Sequence, residues 1–381
     1  MKIVIAVACL LVALCSAEEA SSRCDASLTT ASGSKALPGP YCSGDLIFED
    51  NFNEFNLETW EHERTLGGGG NWEFQAYENN RANSFCENGI LNIRPTYLAD
   101  DTGDAFLSSG TWSLHGAQPA DVCTGQSFFG CERVGNANNF LNPIRSARIR
   151  TVDSFNFKYG RMEVRARMPT GDWLWPAVWL LPKVQAYGTW PASGEIDLVE
   201  SRGNLDLRLD GVHIGNQQVG STLHFGPNPN QNGYATTVSY TNNNSGFNNA
   251  FHNYGLEWTP DHITFTVDGQ VLRRIDAGSG FWDRGNFQTS SPRSENPWVN
   301  RPAMAPFDQE FYILINLAVG GTNGFFPDAA INGNRGKPWS NTSPTAARDF
   351  WNGRGFWQPT WNTSRGGSSS FLVDYVRVWA L

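Results

Sequence analysis

The chain has 381 residues, a formal net charge of −9, 40% hydrophobic residues and 13% aromatic residues. This composition excludes a disordered, collagen-like or coiled-coil chain. The acidic balance argues against a nucleic acid or an anionic membrane as partner, because either would require a basic surface. The many aromatic, Gly and Asn residues fit a neutral polar ligand. Carbohydrate is the first candidate, since sugars offer C–H faces to rings and hydroxyls to amides.

The N-terminus has the pattern of a secretory signal peptide over residues 1–17. Lys2 precedes an apolar run at residues 3–14, and small residues at 15–17 form a cleavage site. The run is too short to span a bilayer as a helix, for which about 20 residues are needed. We therefore expect a secreted, extracellular protein. Its parts would be an N-terminal tail at 18–44 and one domain at 45–381.

Removal of residues 1–17 leaves five cysteines. In an oxidising compartment we expect two disulfides, Cys24–Cys42 and Cys123–Cys131. The first would pin the tail, and the second would close a short loop. Cys86 then remains as a free thiol, which we interpret as a partly buried cysteine at a strand end. The sequence has no C-x-x-C pair that would indicate zinc.

Strand-like runs recur along the chain from Leu46 onward. Residues 161–167 alternate apolar and charged side chains, which is typical of a half-buried antiparallel strand. The clearest other runs are 89–94, 146–152, 263–267, 311–319 and 370–379, with a turn at 267–270 and a short helix predicted at 344–351. We therefore predict an all-β domain of two packed antiparallel sheets, with long loops at 99–143 and 278–308.

Three N-x-S/T sequons lie in Gly-, Ser- and Asn-rich stretches, at Asn243, Asn341 and Asn362. Such stretches are typical of exposed loops, so we expect them to carry glycans in a secreted protein.

Residues 194–200, Gly-Glu-Ile-Asp-Leu-Val-Glu, are the most informative segment of the sequence. In a regular strand Glu195 and Asp197 share one face, whereas Glu200 falls on the other. One extra residue in a β-bulge near 198–199 would return Glu200 to the first face. Three carboxyl groups in a row are then expected to share protons and to separate their pKa values.

One ionised and one protonated carboxyl group are what cleavage of a glycosidic bond requires. An acidic, solvent-facing strand is the first alternative, but the aliphatic neighbours and the tryptophan-rich flanks at 175–179 and 190 favour burial. A calcium site is the second, although calcium ligands usually come from loops.

The same segment resembles the active-site strand of family-16 glycoside hydrolases, in the bulged form of laminarinase-type endo-β-1,3-glucanases. The resemblance runs from about Leu46 to Leu381 and is strongest to invertebrate β-1,3-glucanases and lipopolysaccharide- and β-1,3-glucan-binding proteins. The matching segments, besides 194–200, are 69–73, 175–182, 221–226, 316–321 and 373–379. It implies a concanavalin A-like jelly-roll sandwich with long loops around a sugar-binding groove.

The resemblance also implies roles for the acids. Glu195 matches the nucleophile, Glu200 the acid/base and Asp197 the helper that hydrogen-bonds the nucleophile. His224 matches a residue near the cleavage point, while an ordinary strand histidine is an equal interpretation and His213 is a competitor.

The resemblance further places Asn71, Trp175 and Trp190 along the sugar-binding groove. Most other tryptophans are expected in the core, among them Trp179, Trp258 and Trp379. Trp282 and Trp298 lie in a predicted loop and are candidates for the groove edge.

Many members of the family hold one structural calcium. The matching positions are the Asp374 side chain and the backbone carbonyls of Glu49 and Gly89, although Asp374 fits a surface acid equally well. Catalysis itself requires no cofactor.

We therefore predict a monomeric, secreted, retaining endo-hydrolase of β-1,3-glucan. The first alternative is a non-catalytic recognition protein of innate immunity that binds β-1,3-glucan and lipopolysaccharide. The second is a lectin-like sandwich without chemistry. The triple-acid strand argues against a lectin, which needs no closely placed like charges.

Overall fold

The computed structural model describes residues 24–116, 122–290 and 292–381, so the predicted signal peptide lies outside the described residues. The strands in chain order are β1 Thr30–Ser32, β2 Leu46–Asp50, β3 Glu61–His62, β4 Gln75–Tyr77, β5 Ser84–Glu87, β6 Ile90–Ile93, β7 Thr96–Tyr97, β8 Thr111–Ser113, β9 Glu132–Val134, β10 Ile144–Ser146, β11 Arg148–Arg150, β12 Asn156–Lys158, β13 Gly160–Arg167, β14 Leu174–Pro182, β15 Glu195–Ser201, β16 Leu207–Leu209, β17 Val212–His213, β18 Gln218–His224, β19 Ser239–Asn242, β20 His252–Trp258, β21 His262–Val267, β22 Gln270–Asp276, β23 Phe311–Val319, β24 Ile331–Asn332, β25 Arg335–Gly336 and β26 Phe371–Trp379.

The α-helices are short: α1 Ala99–Thr102, α2 Phe106–Ser109, α3 Phe281–Arg284, α4 Ala346–Asn352 and α5 Arg354–Trp357. The helix predicted at 344–351 corresponds to α4. Within the described part of the chain, every helix is too short to cross a membrane.

Two antiparallel sheets dominate the fold. The nine-stranded sheet runs β1-β12-β23-β14-β15-β18-β19, with β11 pairing β23 and β3 pairing β11. The eight-stranded sheet runs β22-β21-β20-β13-β26-β6-β5, with β2 pairing β26. Residues 161–167 lie in the middle of the second sheet and alternate between buried and more exposed positions, as predicted. The all-β sandwich is therefore confirmed.

Aromatic and aliphatic side chains between the two sheets form one continuous core. Trp258 of β20 is fully buried and meets Phe311 of β23 edge-on at 5.4 Å between ring centroids. The prediction of a core position is confirmed for Trp258 but wrong for Trp179 and Trp379, which are only partly buried. Trp179 lines a surface groove, and the Arg161 guanidinium lies 5.9 Å from the centre of the Trp379 ring.

The disulfides predicted from spacing are present, Cys24–Cys42 and Cys123–Cys131. The segment after Cys24 is joined to the sandwich, because Thr30–Ser32 pairs antiparallel with Asn156–Lys158 at the edge of the nine-stranded sheet. The first disulfide therefore fastens a segment that already extends a sheet.

Cys86 is the free cysteine among the described residues and is partly buried in β5. Burial, assisted by the Asp50 carboxylate, raises the pKa of its thiol to about 12. The reactive thiolate is therefore scarce at neutral pH. For a chain that begins at Glu18, we expect one thiol under denaturing, non-reducing conditions and slow alkylation of that thiol in the native protein. Three or five thiols after denaturation would contradict the disulfide assignment.

Candidate active site

Strand β15 carries the three acids near the middle of the nine-stranded sheet. Asp197 lies opposite Thr222 of β18, but Glu200 lies opposite Gly220, so three steps along β15 match two along β18. The pairing with β14 also skips Leu198. Leu198 is therefore the extra residue of a β-bulge.

Burial and a side-chain hydrogen bond stabilise the bulge. Leu198 is buried, and its backbone carbonyl accepts a 2.7 Å hydrogen bond from the Ser221 hydroxyl on the neighbouring strand. A buried carbonyl that lost its ladder partner is thereby satisfied. The predicted bulge is confirmed, and with it Glu195, Asp197 and Glu200 share one face of the sheet.

Asp197 and His224 form the centre of the cluster. Nε2 of His224 lies 3.2 Å from Asp197 and 3.8 Å from a carboxylate oxygen of Glu195. One side-chain oxygen of Glu195, one of Asp197 and one ring nitrogen of His224 all lie within 4.8 Å of one another. Burial raises the pKa of Asp197 well above its usual range, and the neighbouring Glu195 raises it further. Asp197 is therefore suited to hold or share a proton beside Glu195.

The other ring nitrogen of His224 meets an amide that the sequence did not indicate. Nδ2 of Asn232 lies 2.8 Å from Nδ1 of His224, and the Asn232 oxygen accepts a hydrogen bond from the Tyr234 backbone. With this orientation Nδ1 accepts, and the ring proton lies on Nε2. The Tyr234 ring stacks on the imidazole at 5.5 Å.

Charge on His224 is governed by its acidic neighbours. Burial alone lowers the pKa of His224, but the carboxylates of Asp197 and Glu195 outweigh it and raise the pKa to about 9. The charged ring carries a second proton on Nδ1, and the Asn232 amide must turn its oxygen toward that atom to accept it. In both forms Nε2 carries a proton and lies 3.2 Å from a carboxyl oxygen of Asp197.

Trp190 supports Glu195. Its indole Nε1 donates a 2.8 Å hydrogen bond to Oε2 of Glu195, and its ring remains 39% exposed in the groove. Trp190 is therefore placed both to orient Glu195 and to offer a ring to a ligand.

Trp175 supports Glu200 in a different way. Its Nε1 donates a 2.8 Å hydrogen bond to Oε1 of Glu200, but its ring is buried and stacks on Phe325 at 3.9 Å and 5°. The guanidinium of Arg202 lies 4.0 Å from the Phe325 ring. Trp175 therefore fixes the acid, and its ring is largely covered.

Burial raises the pKa of Glu200, while the hydrogen bond from Trp175 opposes that rise. Trp175→Phe should therefore raise this pKa further, because the ionised form loses a donor. The alkaline limb of the pH–kcat/KM profile, which reports loss of the protonated acid, should move to higher pH. Trp179→Phe is the matched control on the same strand, since its Nε1 donates to Asn316 instead. An unmoved or lowered limb in Trp175→Phe would refute the assigned role.

Asn71 lies in the Gly-rich loop beside the groove. Its side-chain amide donates a 2.9 Å hydrogen bond to the buried carboxyl of Glu73. Gly69 has a positive φ of 59°, and a Cβ there would come within 2.5 Å of Oε1 of Glu73. Glycine is therefore required at this close approach. The amide of Asn71 is engaged with Glu73 in this arrangement, so its contact with sugar stays a prediction.

A groove of about 350 Å³ is lined by Glu195, Trp190, Trp179 and Phe128, among other residues. A volume of this size is within the range of small-ligand sites.

The residues predicted for calcium do not fit a dication in this arrangement. The Asp374 carboxylate, the one charged group of the predicted set, is paired with Arg165. That guanidinium group competes with a cation for the carboxylate. The backbone carbonyls of Glu49 and Gly89 carry no net charge. The calcium site stays a prediction, and we derive no chemistry from it.

Two other sequence candidates lie elsewhere. His213 is buried outside the cluster, with Nε2 2.8 Å from the Leu205 carbonyl, so it does not compete with His224. The groove-edge prediction is wrong for Trp298, which is buried and donates to the Ala192 carbonyl. Trp282 packs beside Trp298, partly buried against the core.

The chain belongs to glycosyl hydrolases family 16. The model of that family matches residues 137–292. A β-1,3-glucan-binding protein of Penaeus monodon is 50% identical over 343 residues, which cover 88% of this chain and 90% of that protein. A β-1,3-glucan-binding protein of Manduca sexta is 37% identical, with 91% of this chain and 67% of that protein covered.

Solved structures share the fold. The laminarinase of Rhodothermus marinus matches with a TM-score of 0.52 and 25% identity, covering 88% of this chain and 97% of that one. The endo-β-1,3-glucanase of Pyrococcus furiosus matches with a TM-score of 0.53 and 22% identity, covering 88% and 94%. The predicted family and sandwich fold are thus confirmed.

Proposed function

We propose that the protein is an endo-acting hydrolase of β-1,3-glucan that retains anomeric configuration. The observation that carries this proposal is the bulge at Leu198. It brings Glu200, whose pKa burial raises, onto the same face as Glu195, which accepts a hydrogen bond from Trp190. Double displacement requires two carboxyl groups on one face, one to attack the anomeric carbon and one to protonate the leaving oxygen.

The steps follow from these positions. Glu195 attacks the anomeric carbon while Glu200 protonates the departing glycosidic oxygen, which gives a covalent glycosyl-enzyme. Glu200, now ionised, removes a proton from water, and that water displaces Glu195. Asp197 and His224, which share a proton beside Glu195, limit the accumulation of negative charge during this cycle. Each step uses groups of this chain and water alone.

A second candidate function is binding of β-1,3-glucan without cleavage. The names of the Penaeus monodon and Manduca sexta relatives favour it, as both are called β-1,3-glucan-binding proteins. The intact triple-acid cluster favours hydrolysis, because binding alone gives no reason to gather like charges. Secretion accords with either candidate and with the two disulfides.

Incubation of the protein with laminarin tests the proposal. We expect new reducing ends and a rapid fall in chain length, as endo-cleavage produces. Proton NMR of the first products should show the β-anomer before mutarotation, since a retaining pair lies about 5–5.5 Å apart. An initial α-anomer would mean inversion and would overturn the role of Glu195. Binding without any cleavage would favour the second candidate.

A further inference from the structure

Three large aromatic side chains are exposed at the groove and beside it, and we call them the aromatic ridge: Trp72, Phe128 and Phe129. Their exposed fractions are 46%, 47% and 70%. The Trp72 and Phe128 rings meet edge-on, with 5.7 Å between centroids. Exposure of three large rings together is a feature of binding surfaces.

The backbone of the ridge is held in a costly conformation. Trp72, Phe128 and Phe129 have φ values of 53°, 57° and 59°. Bulky residues in this left-handed region are uncommon, at a cost of about 1–3 kcal/mol each, and such residues cluster at ligand sites. The Cys123–Cys131 disulfide closes the loop that carries the two phenylalanines. The protein therefore holds these rings outward against both solvent and local backbone preference.

The ridge is the wall between two cavities. Phe128 lines the same groove as Glu195, whereas Trp72 lines a second cavity of about 330 Å³. Since the two rings touch, the cavities lie on either side of one aromatic contact. Amides and hydroxyls line part of the second cavity, among them those of Asn138, Asn139 and Thr322. Asn341, one of the predicted glycosylation sites, also lines it, and its side-chain amide donates a 3.1 Å hydrogen bond to the Phe326 carbonyl.

A buried arginine contacts two residues of the aromatic ridge. Arg133 donates to the Phe128 carbonyl at 3.0 Å and to Asn142 at 3.0 Å, and its guanidinium lies 5.8 Å from the centre of the Trp72 ring. The second cavity thus combines ring surface with amides, which suits hydroxyl-bearing ligands.

We propose that the aromatic ridge and the second cavity form a distal binding site for the polysaccharide, which engages β-glucan chains too long for the groove alone. The occupant is a glucan chain because the ridge continues the groove that holds the acids, and because the chemistry beyond it is that of sugar recognition. The inference rests on the proposed substrate class, but it requires binding and not cleavage.

The test compares a long and a short ligand. Affinities of Trp72→Ala/Phe128→Ala for laminarin and for laminaritriose are measured by calorimetry or affinity electrophoresis. Loss of two ring contacts should weaken laminarin binding by about tenfold or more. Laminaritriose binding should weaken by a clearly smaller factor. Trp72→Tyr/Phe128→Tyr keeps both rings and should restore most of the laminarin affinity.

Two single variants provide an independent test and a control. Phe129→Ala removes the most exposed ring of the ridge and should also lower laminarin affinity, even where the double variant folds poorly. Phe356→Ala, an exposed ring outside both cavities, should leave both affinities unchanged.

If the double variant bound both ligands more weakly by the same factor, or bound laminarin as tightly as the wild type, the proposed distal binding site would be refuted. The result is separable from the proposed hydrolysis, because a protein that binds laminarin without cutting it still reports on the ridge. If the wild-type protein did not cleave laminarin, but the double variant lost more affinity for laminarin than for laminaritriose, only the catalytic proposal would be rejected.

Discussion

Glu195→Gln should reduce hydrolysis of laminarin by several orders of magnitude. The amide keeps the size of the side chain and can still accept the hydrogen bond from Trp190, but it lacks the negative charge that attacks the anomeric carbon. Binding of laminari-oligosaccharides should survive, because the aromatic rings and amides of the groove remain. Initial rates and affinities measured on the same preparation check both halves of the expectation.

Glu257→Gln is the matched control for this variant. Glu257 lies on β20 of the other sheet, where it pairs with His262 at 2.9 Å. Its amide should leave hydrolysis unchanged. Wild-type rates in Glu195→Gln would refute the nucleophile, whereas lost binding with an intact fold would mean that Glu195 holds the sugar.

Glu200→Gln should also be nearly inactive on laminarin, because nothing protonates the departing oxygen. With a substrate that carries a good leaving group, such as an aryl glycoside, the first step needs no acid and the glycosyl-enzyme accumulates. Azide then attacks the anomeric carbon without a general base and displaces the Glu195 carboxylate. We expect azide to accelerate turnover of Glu200→Gln and to yield a β-glycosyl azide.

Glu195→Gln provides the contrast for that experiment. It forms no glycosyl-enzyme, so azide should yield no β-glycosyl azide from it. The pattern of response therefore distinguishes the two acids. A β-glycosyl azide from Glu195→Gln alone would exchange their roles, and a β-glycosyl azide from neither variant would reject a covalent intermediate.

Local patterns predicted much of the fold. Alternation at 161–167 and the mostly apolar run at 311–319 correspond to strands, since each pattern reflects how many faces of a strand are buried. The bulge was predictable because a fixed odd spacing between Glu195 and Glu200 conflicts with the period of a strand. Both the strand patterns and the spacing of the acids depend only on residues that are close together in the sequence.

The supporting shell of the site was not predictable in the same way. Asn232 reaches His224 from the loop after β18, and Phe325 stacks on Trp175 from a loop 150 residues farther along the chain. Neither residue has a sequence pattern that names its partner. Trp298 was misplaced for the same reason, because its burial depends on a distant carbonyl, that of Ala192.

The central position of β15 has a consequence for how this protein can change. The strand is locked on both edges, by β14 and by β18, and Leu198 is accommodated on both sides. Sliding the strand by one residue would break two ladders and reverse every buried side chain. Loops outside the two ladders can therefore lengthen or change composition without altering the spacing of the acids. Preference for a ligand and the chemistry performed on it are thus free to diversify separately.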